Sequence, residues 1–108
     1  MSDLTDSFVE LVRRAATDLP ADVEAAIRAA RDSEDDGSAA EGALDTILEN
    51  VVIARENETP ICQDTGVPIF YVYYPPRMST QRIIEQIEAA VVEATDRSYL
   101  RPNAVDPV

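Results

Sequence analysis

The residue types best suited to chemistry lie in one short segment, residues 60–66, which reads PICQDTG. A thiol, a carboxamide, a carboxylate and a hydroxyl follow one another there, on Cys62, Gln63, Asp64 and Thr65. A thiolate can ligate a soft metal, and a carboxylate can move protons. The same letters also suit a plain turn in which the cysteine is a small buried hydrophobe. Spacing alone leaves both interpretations open.

The cysteine and histidine content excludes several kinds of site. Cys62 is the one cysteine of the chain, and the chain has no histidine. An internal disulfide, a Ser-His-Asp or Cys-His catalytic pair, and a zinc site built from this chain alone are therefore excluded. A redox-active thiol is disfavoured, because Cys62 has neither a second cysteine nor a basic neighbour in the sequence to lower its pKa.

The net charge of the chain limits the kinds of molecule that it is expected to bind. The 108 residues carry 21 acidic and 9 basic side chains, all nine of them arginine, for a formal net charge of −12. Such a surface repels nucleic acid and anionic lipid, so neither is expected as a partner. The composition favours a cytoplasm at very high salt, and the alternative is one acidic portion of a more balanced protein. The chain shows no secretory signal and no apolar run long enough for a membrane span, which predicts a cytoplasmic protein.

Apolar periodicity predicts the elements that position this segment. Helices are expected over residues 4–17, 20–31, 38–55 and, starting at Ser79 or Thr80, to about residue 97, with a strand over residues 69–74. Ser38 and Glu41 form a capping-box pattern, and Arg55 fits the preference of helix C-termini for cations.

The predicted fold class is α+β, predominantly helical, with about four helices and one or two strands. A lone strand cannot satisfy its own backbone groups, so its partners are expected from outside these residues. Residues 102–108 contain two prolines in the stretch after Arg101 and are expected to be irregular. Residues 1–108 are therefore interpreted as an incomplete part of a larger domain.

Three segments carry a resemblance to a known family. They read LPADVEAAIRAA, LDTILENVVIARENETPICQDTG and AAVVEATDRSYLRPNAVDP, and together they span most of residues 19–107. In content and order they resemble the iron–sulfur-dependent class I fumarate hydratases and the related tartrate dehydratase alpha subunits. The resemblance implies that residues 1–108 are the N-terminal part of the fumarate hydratase alpha domain.

The resemblance implies a four-iron four-sulfur cluster with Cys62 as its first ligand, and the two further cysteine ligands would lie outside this chain. It also implies that Asp64 takes part in proton transfer or substrate contact and that Gln63 lines the same pocket. Arg101 would bind a substrate carboxylate through its planar guanidinium. The alternative for Arg101 is a surface or helix-capping arginine.

The implied activity is that of a hydro-lyase, the reversible hydration of fumarate to malate. Its implied partners are a small dicarboxylate substrate, a beta subunit or C-terminal domain, and further copies of itself in a homo-oligomer. Tartrate dehydratase is the close alternative, and a catalytically inactive helical interaction module is the rival from another class. The chain by itself is expected to be inactive.

Overall fold

The structure, a computed structural model, describes residues 3–62 and 67–102. Within these ranges the chain forms four α-helices: α1 (Thr5–Thr17), α2 (Ala21–Asp32), α3 (Ala39–Asn57) and α4 (Thr80–Asp96). Helix α1 packs on α4, α2 packs on α3, and a narrower contact joins α1 to α3. None of the four helices is long and apolar enough to cross a membrane.

Serine side chains begin the two longest helices. The Ser38 hydroxyl oxygen accepts the Glu41 N–H at 3.1 Å, and the Ser79 hydroxyl oxygen accepts the Arg82 N–H at 3.2 Å. Each bond satisfies one of the N–H groups that a helix start leaves without an intrahelical partner. The Glu41 carboxylate reaches back to the Gly37 N–H at 3.2 Å, so it serves the residue before the cap instead of the cap itself.

The apolar core lies between α1 and α4. Val9 and Val12 of α1 pack with Ala90 and Ala94 of α4, and Tyr99, just after α4, completes the cluster. Small alanine side chains allow the two helices to approach closely, and the valines fill the remaining space. This core fixes the position of α1, the helix to which Ile61 is hydrogen-bonded.

The predicted strand over residues 69–74 is not formed. These residues are irregular, and no strand occurs in the ranges 3–62 and 67–102, so the predicted α+β class is wrong and the described fold is all-helical. The side chains do alternate, with Ile69, Tyr71 and Tyr73 exposed and Phe70 half-buried. Aromatic and β-branched composition expresses a local preference, whereas a strand needs a partner for its backbone groups. No neighbouring segment of the described chain supplies that partner.

Phe70 nevertheless ties this irregular segment to the core. Its ring meets the ring of Phe8 edge to face, with the centroids 6.2 Å apart and the planes at 81°. Edge-to-face contact is a favoured arrangement for aromatic pairs. The segment that follows PICQDTG is therefore anchored on α1.

Candidate functional site

Cys62 lies on the wall of a groove beside α1. Its side chain is exposed and its thiol is free. The groove has a volume of about 690 Å³, and its wall includes Phe8, Ala16, Cys62 and Leu100. Cys62 is thus not a small hydrophobe sealed in the core, and its sulfur is accessible from a cavity large enough for a small ligand.

The end of α3 sends the chain toward this groove. Glu58 adopts the left-handed conformation, with φ of 54°, and its N–H bonds to the Ala54 carbonyl oxygen. The Thr59 N–H reaches the same oxygen at 3.1 Å. A left-handed residue is a common way to end a helix, although glycine or asparagine usually occupies the position. The turn places Pro60 and Ile61 between α3 and α1.

Two helices hold the residue before Cys62. The Ile61 N–H donates to the Ala16 carbonyl oxygen of α1 at 3.0 Å. The Asn50 side-chain amide of α3 donates to the Ile61 carbonyl oxygen at 2.8 Å. Both backbone groups of Ile61 are therefore occupied, and the chain is fixed between α1 and α3 immediately before Cys62.

A charged cluster joins α3 to α2 and to the link before it. Arg55 donates to Asp18 at 2.7 Å and to Glu24 at 2.6 Å. Hydrogen bonding to the Arg55 guanidinium holds the pKa of Asp18 and the pKa of Glu24 below their ordinary values. In return, the two carboxylates raise the pKa of Arg55 above its ordinary value. The role of Arg55 is therefore to link three elements, which goes beyond complementing the dipole of its own helix.

The structure describes two of the four predicted site residues, Cys62 and Arg101. Gln63 and Asp64 lie outside the described residues. Arg101 is exposed and directly follows Leu100, which lines the groove that Cys62 also lines. The structure thus brings Cys62 and the residue before Arg101 to one cavity, although they are far apart in sequence. The roles of Gln63, Asp64 and Arg101 remain predictions.

The described residues can supply one ligand to a metal cluster, but they do not form a complete metal site. Residues 3–62 and 67–102 contain no group of three or more His, Cys, Asp or Glu side chains arranged to hold a metal ion. An accessible thiol on a cavity wall, on a backbone tied at the preceding residue, is what a single cysteine ligand requires. Cys62 fits that part.

Sequence reasoning missed Asn50 altogether and missed the role of Arg55 in joining α3 to other elements. The bond from Asn50 to Ile61 crosses 11 positions, and the bonds from Arg55 to Asp18 and Glu24 cross 37 and 31 positions. One local signal existed for Asn50, because asparagine is a poor residue for a helix interior.

Fold and site define a helical unit that presents one accessible thiol at the wall of a small-molecule-sized groove. Comparison with known families makes the assignment specific. The chain matches the model of the family described as Fumarate hydratase (Fumerase) over residues 5–108, and it belongs to that family.

Individual relatives include two kinds of hydro-lyase. The chain is 42% identical over 106 residues to the provisionally named class I fumarate hydratase of Geobacillus stearothermophilus, covering 98% of this chain and 21% of the relative. It is 40% identical over 108 residues to the provisionally named L(+)-tartrate dehydratase subunit alpha of Methanocaldococcus jannaschii, covering 97% of this chain and 38% of the relative. The L(+)-tartrate dehydratase subunit alpha of Escherichia coli K12 is 31% identical over 110 residues, covering 98% of this chain and 35% of the relative. The chain therefore spans well under half the length of each.

Proposed function

We propose that this chain forms the N-terminal part of an iron–sulfur hydro-lyase that reversibly hydrates fumarate to malate. One observation carries the proposal: in a member of the fumarate hydratase family, Cys62 is exposed on the wall of a groove and follows a residue fixed to two helices. A thiol that faces a cavity has room for a cluster beside it, whereas a thiol enclosed by packed side chains does not.

The residues of this chain divide the work as the family resemblance implies. Cys62 holds the cluster, which when bound supplies a Lewis acid for the substrate hydroxyl. Two further cysteine ligands come from outside this chain. Asp64 moves the proton at the carbon next to a substrate carboxylate, and Gln63 lines the same pocket. Arg101 binds a carboxylate of the substrate in bidentate fashion.

Fumarate is the favoured substrate over tartrate. The family description names fumarate hydratase, and the relative with 42% identity carries the same name. Tartrate dehydratase alpha subunits match at 40% and 31% identity, so tartrate is the alternative to test directly. The designation "subunit alpha" supports a beta subunit or C-terminal domain as partner for this chain as well, and the assembly is proposed to be a homo-oligomer of such units.

The strongly acidic surface is proposed to be an adaptation to a cytoplasm at high salt. At about 1 M salt the Debye length is only about 3 Å, so repulsion among the charges that sum to −12 is largely screened. The same screening lets a dianionic substrate approach, with Arg101 supplying positive charge locally. The unfolding temperature is expected to rise steeply with potassium chloride through the molar range, and a flat response would remove this proposal.

Substrate turnover tests the activity. In the complete hydro-lyase that contains this chain, kcat/KM should be higher for fumarate than for tartrate. Asp64→Asn should lower kcat by at least about 10²-fold, the typical contribution of a general acid or base. Asp36→Asn, in the exposed loop between α2 and α3, is the matched control and should leave kcat unchanged.

Two outcomes would contradict the proposal. One is a wild-type kcat in Asp64→Asn, which would show that its carboxylate is not required for proton transfer. The other is no hydration or dehydration of either substrate by the cluster-loaded wild-type enzyme, which would leave a helical interaction module as the better description.

A further inference from the structure

Asn50 occupies a position that its intrinsic preferences do not explain. It lies inside α3, seven residues before the last residue, Asn57. Asparagine is less favourable in a helix interior than alanine, because its side chain competes for backbone hydrogen bonds. Here the side-chain amide instead donates to the Ile61 carbonyl oxygen at 2.8 Å. The Asn50 carboxamide therefore bonds to the segment that follows the helix and not to the backbone of the helix itself.

The Ile61 carbonyl belongs to the same planar unit as the backbone nitrogen and Cα of Cys62. Because a peptide unit is planar, fixing its oxygen fixes the orientation in which the backbone enters Cys62. The preceding peptide unit is fixed as well, since the Ile61 N–H donates to the Ala16 carbonyl oxygen at 3.0 Å. Two consecutive peptide planes are therefore held, one by α1 and the next by α3, directly before the thiol.

We propose that Asn50 is a positioning residue for Cys62: its amide holds the Ile61–Cys62 peptide plane so that the thiolate points at a cluster in the groove. The inference rests on the proposed function, because it concerns how the cluster ligand is held. A donor is required at this position, since the group that it holds is a carbonyl oxygen. Partners that orient a metal ligand typically contribute 10- to 100-fold to metal affinity.

Two substitutions at Asn50 distinguish the effect of its hydrogen-bond donor from the effect of its side-chain shape. Asn50→Asp keeps the shape but replaces the amide with an oxygen that can only accept at neutral pH. Asn50→Gln keeps the amide on a longer chain and should restore part of the effect. Asn57→Asp adds the same charge at an exposed position of the same helix and is the matched control.

The experiment uses the complete hydro-lyase that contains this chain, reconstituted with iron and sulfide. The first measurement is amide hydrogen exchange in the cluster-free protein, on peptides covering Ile61 and Cys62. Exchange there should be about fivefold faster in Asn50→Asp, as expected for the loss of one hydrogen bond of ordinary net strength. The second measurement is the rate at which a chelator removes iron, which should rise about tenfold or more in the same variant. Asn57→Asp should match the wild type in both.

The outcomes separate this inference from the proposed function. If Cys62→Ala retains iron, Cys62 is no ligand and the proposed function fails. If Cys62→Ala loses iron while Asn50→Asp matches the wild type in exchange and in iron release, the proposed function stands and the role of Asn50 is wrong. A merely structural role for Asn50 would lower the unfolding temperature without changing iron release at temperatures where the protein is folded, and that result would also overturn the inference.

Discussion

The two helix pairs of this fold are held together in different ways. Helices α1 and α4 meet through buried apolar side chains, among them Val9, Val12, Ala90 and Ala94. The two alanines are fully buried. This contact depends on removing apolar surface from water, a driving force that salt and pH change little over moderate ranges.

The α2–α3 pair combines apolar burial on one helix with ion pairs between the two, since α3 buries Leu48, Val51 and Ala54. Helix α2 buries none of its residues. Across the pair, Arg31 meets Asp45 at 3.1 Å and Arg55 meets Glu24 at 2.6 Å. Partly exposed pairs of this kind are individually weak and are screened by salt. The α2–α3 pair should therefore be the more easily loosened of the two.

The difference matters because the Cys62 segment lies between the pairs. Ile61 is hydrogen-bonded to Ala16 of α1 and to Asn50 of α3, so one anchor belongs to the α1–α4 pair and the other to the α2–α3 pair. The backbone before the thiol is thus bonded to α1, which packs through apolar side chains, and to α3, which forms ion pairs that salt screens. Perturbing α2–α3 should disturb the position of Cys62 before the α1–α4 core is lost.

The largest effect is expected from overfilling the apolar contact. Ala94 is completely buried against α1, so Ala94→Leu forces the helices apart and should destabilise the fold by about 3 kcal/mol. Thermal or denaturant unfolding measures the change. The same substitution at Ala26, exposed on α2, keeps a good helix former and should stay within about 0.5 kcal/mol of the wild type. Equal effects at the two positions would contradict the tight packing of Ala94 against α1.

A smaller effect is expected from Arg55→Gln. The substitution leaves Asp18 and Glu24 without their shared guanidinium, so the unfolding temperature should fall by a few degrees, less than in Ala94→Leu. Arg14→Gln is the control, because Arg14 is 72% exposed and, among the described residues, its ion pair is with Glu10 of its own helix. Hydrogen exchange should rise in α2 and α3 and stay unchanged in α1 and α4. A uniform rise in all four helices would show that the charged cluster supports the whole fold.

Acid should remove the advantage that Arg55 confers. In the folded protein the pKa of Asp18 and that of Glu24 are lowered from ordinary values of 3.8 and 4.5. A lowered pKa stabilises the fold above the ordinary value, and this contribution is lost as the pH falls through the folded value. The difference in unfolding temperature between wild type and Arg55→Gln should therefore be full at neutral pH and shrink once the pH drops below those ordinary values. A difference that persists in strong acid would assign the effect of Arg55 to packing.

The smallest effect is expected at the end of α3. Glu58 is left-handed, a conformation that costs a residue with a side chain about 1–2 kcal/mol. Glu58→Gly removes that cost, and the greater freedom of glycine in the unfolded chain offsets part of the gain, leaving about 0.5 kcal/mol of added stability. Glu56→Gly, two residues earlier inside the helix, should instead lose about 1 kcal/mol. Loss of stability at both positions would contradict the assigned helix end.

The helices could be predicted because their determinants are local. Apolar spacing placed the third helix at residues 38–55, and the structure has Ala39–Asn57, with Ser38 as the cap. Ser79 likewise caps α4. The strand over residues 69–74 could not be judged in the same way, because its formation depends on a partner segment that composition does not reveal.

The candidate site was predictable only in part. The sequence singles out Cys62 as a candidate ligand, and the structure places it on the wall of the groove, while its neighbours Gln63 and Asp64 lie outside the described residues. What the sequence could not supply is the support around the thiol. The contacts of Ile61 with Ala16 and Asn50 exist only once α1 and α3 have packed, so no local pattern encodes them.

The central claim is that the thiolate of Cys62 binds iron. The most direct test is the iron and acid-labile sulfide content of the complete hydro-lyase after anaerobic reconstitution, measured for the wild type and for Cys62→Ala, with the visible absorbance recorded alongside. We expect a coloured wild type and a variant whose iron content and absorbance fall to background while its helical content is unchanged. A Cys62→Ala protein that retains wild-type iron and colour would contradict the account.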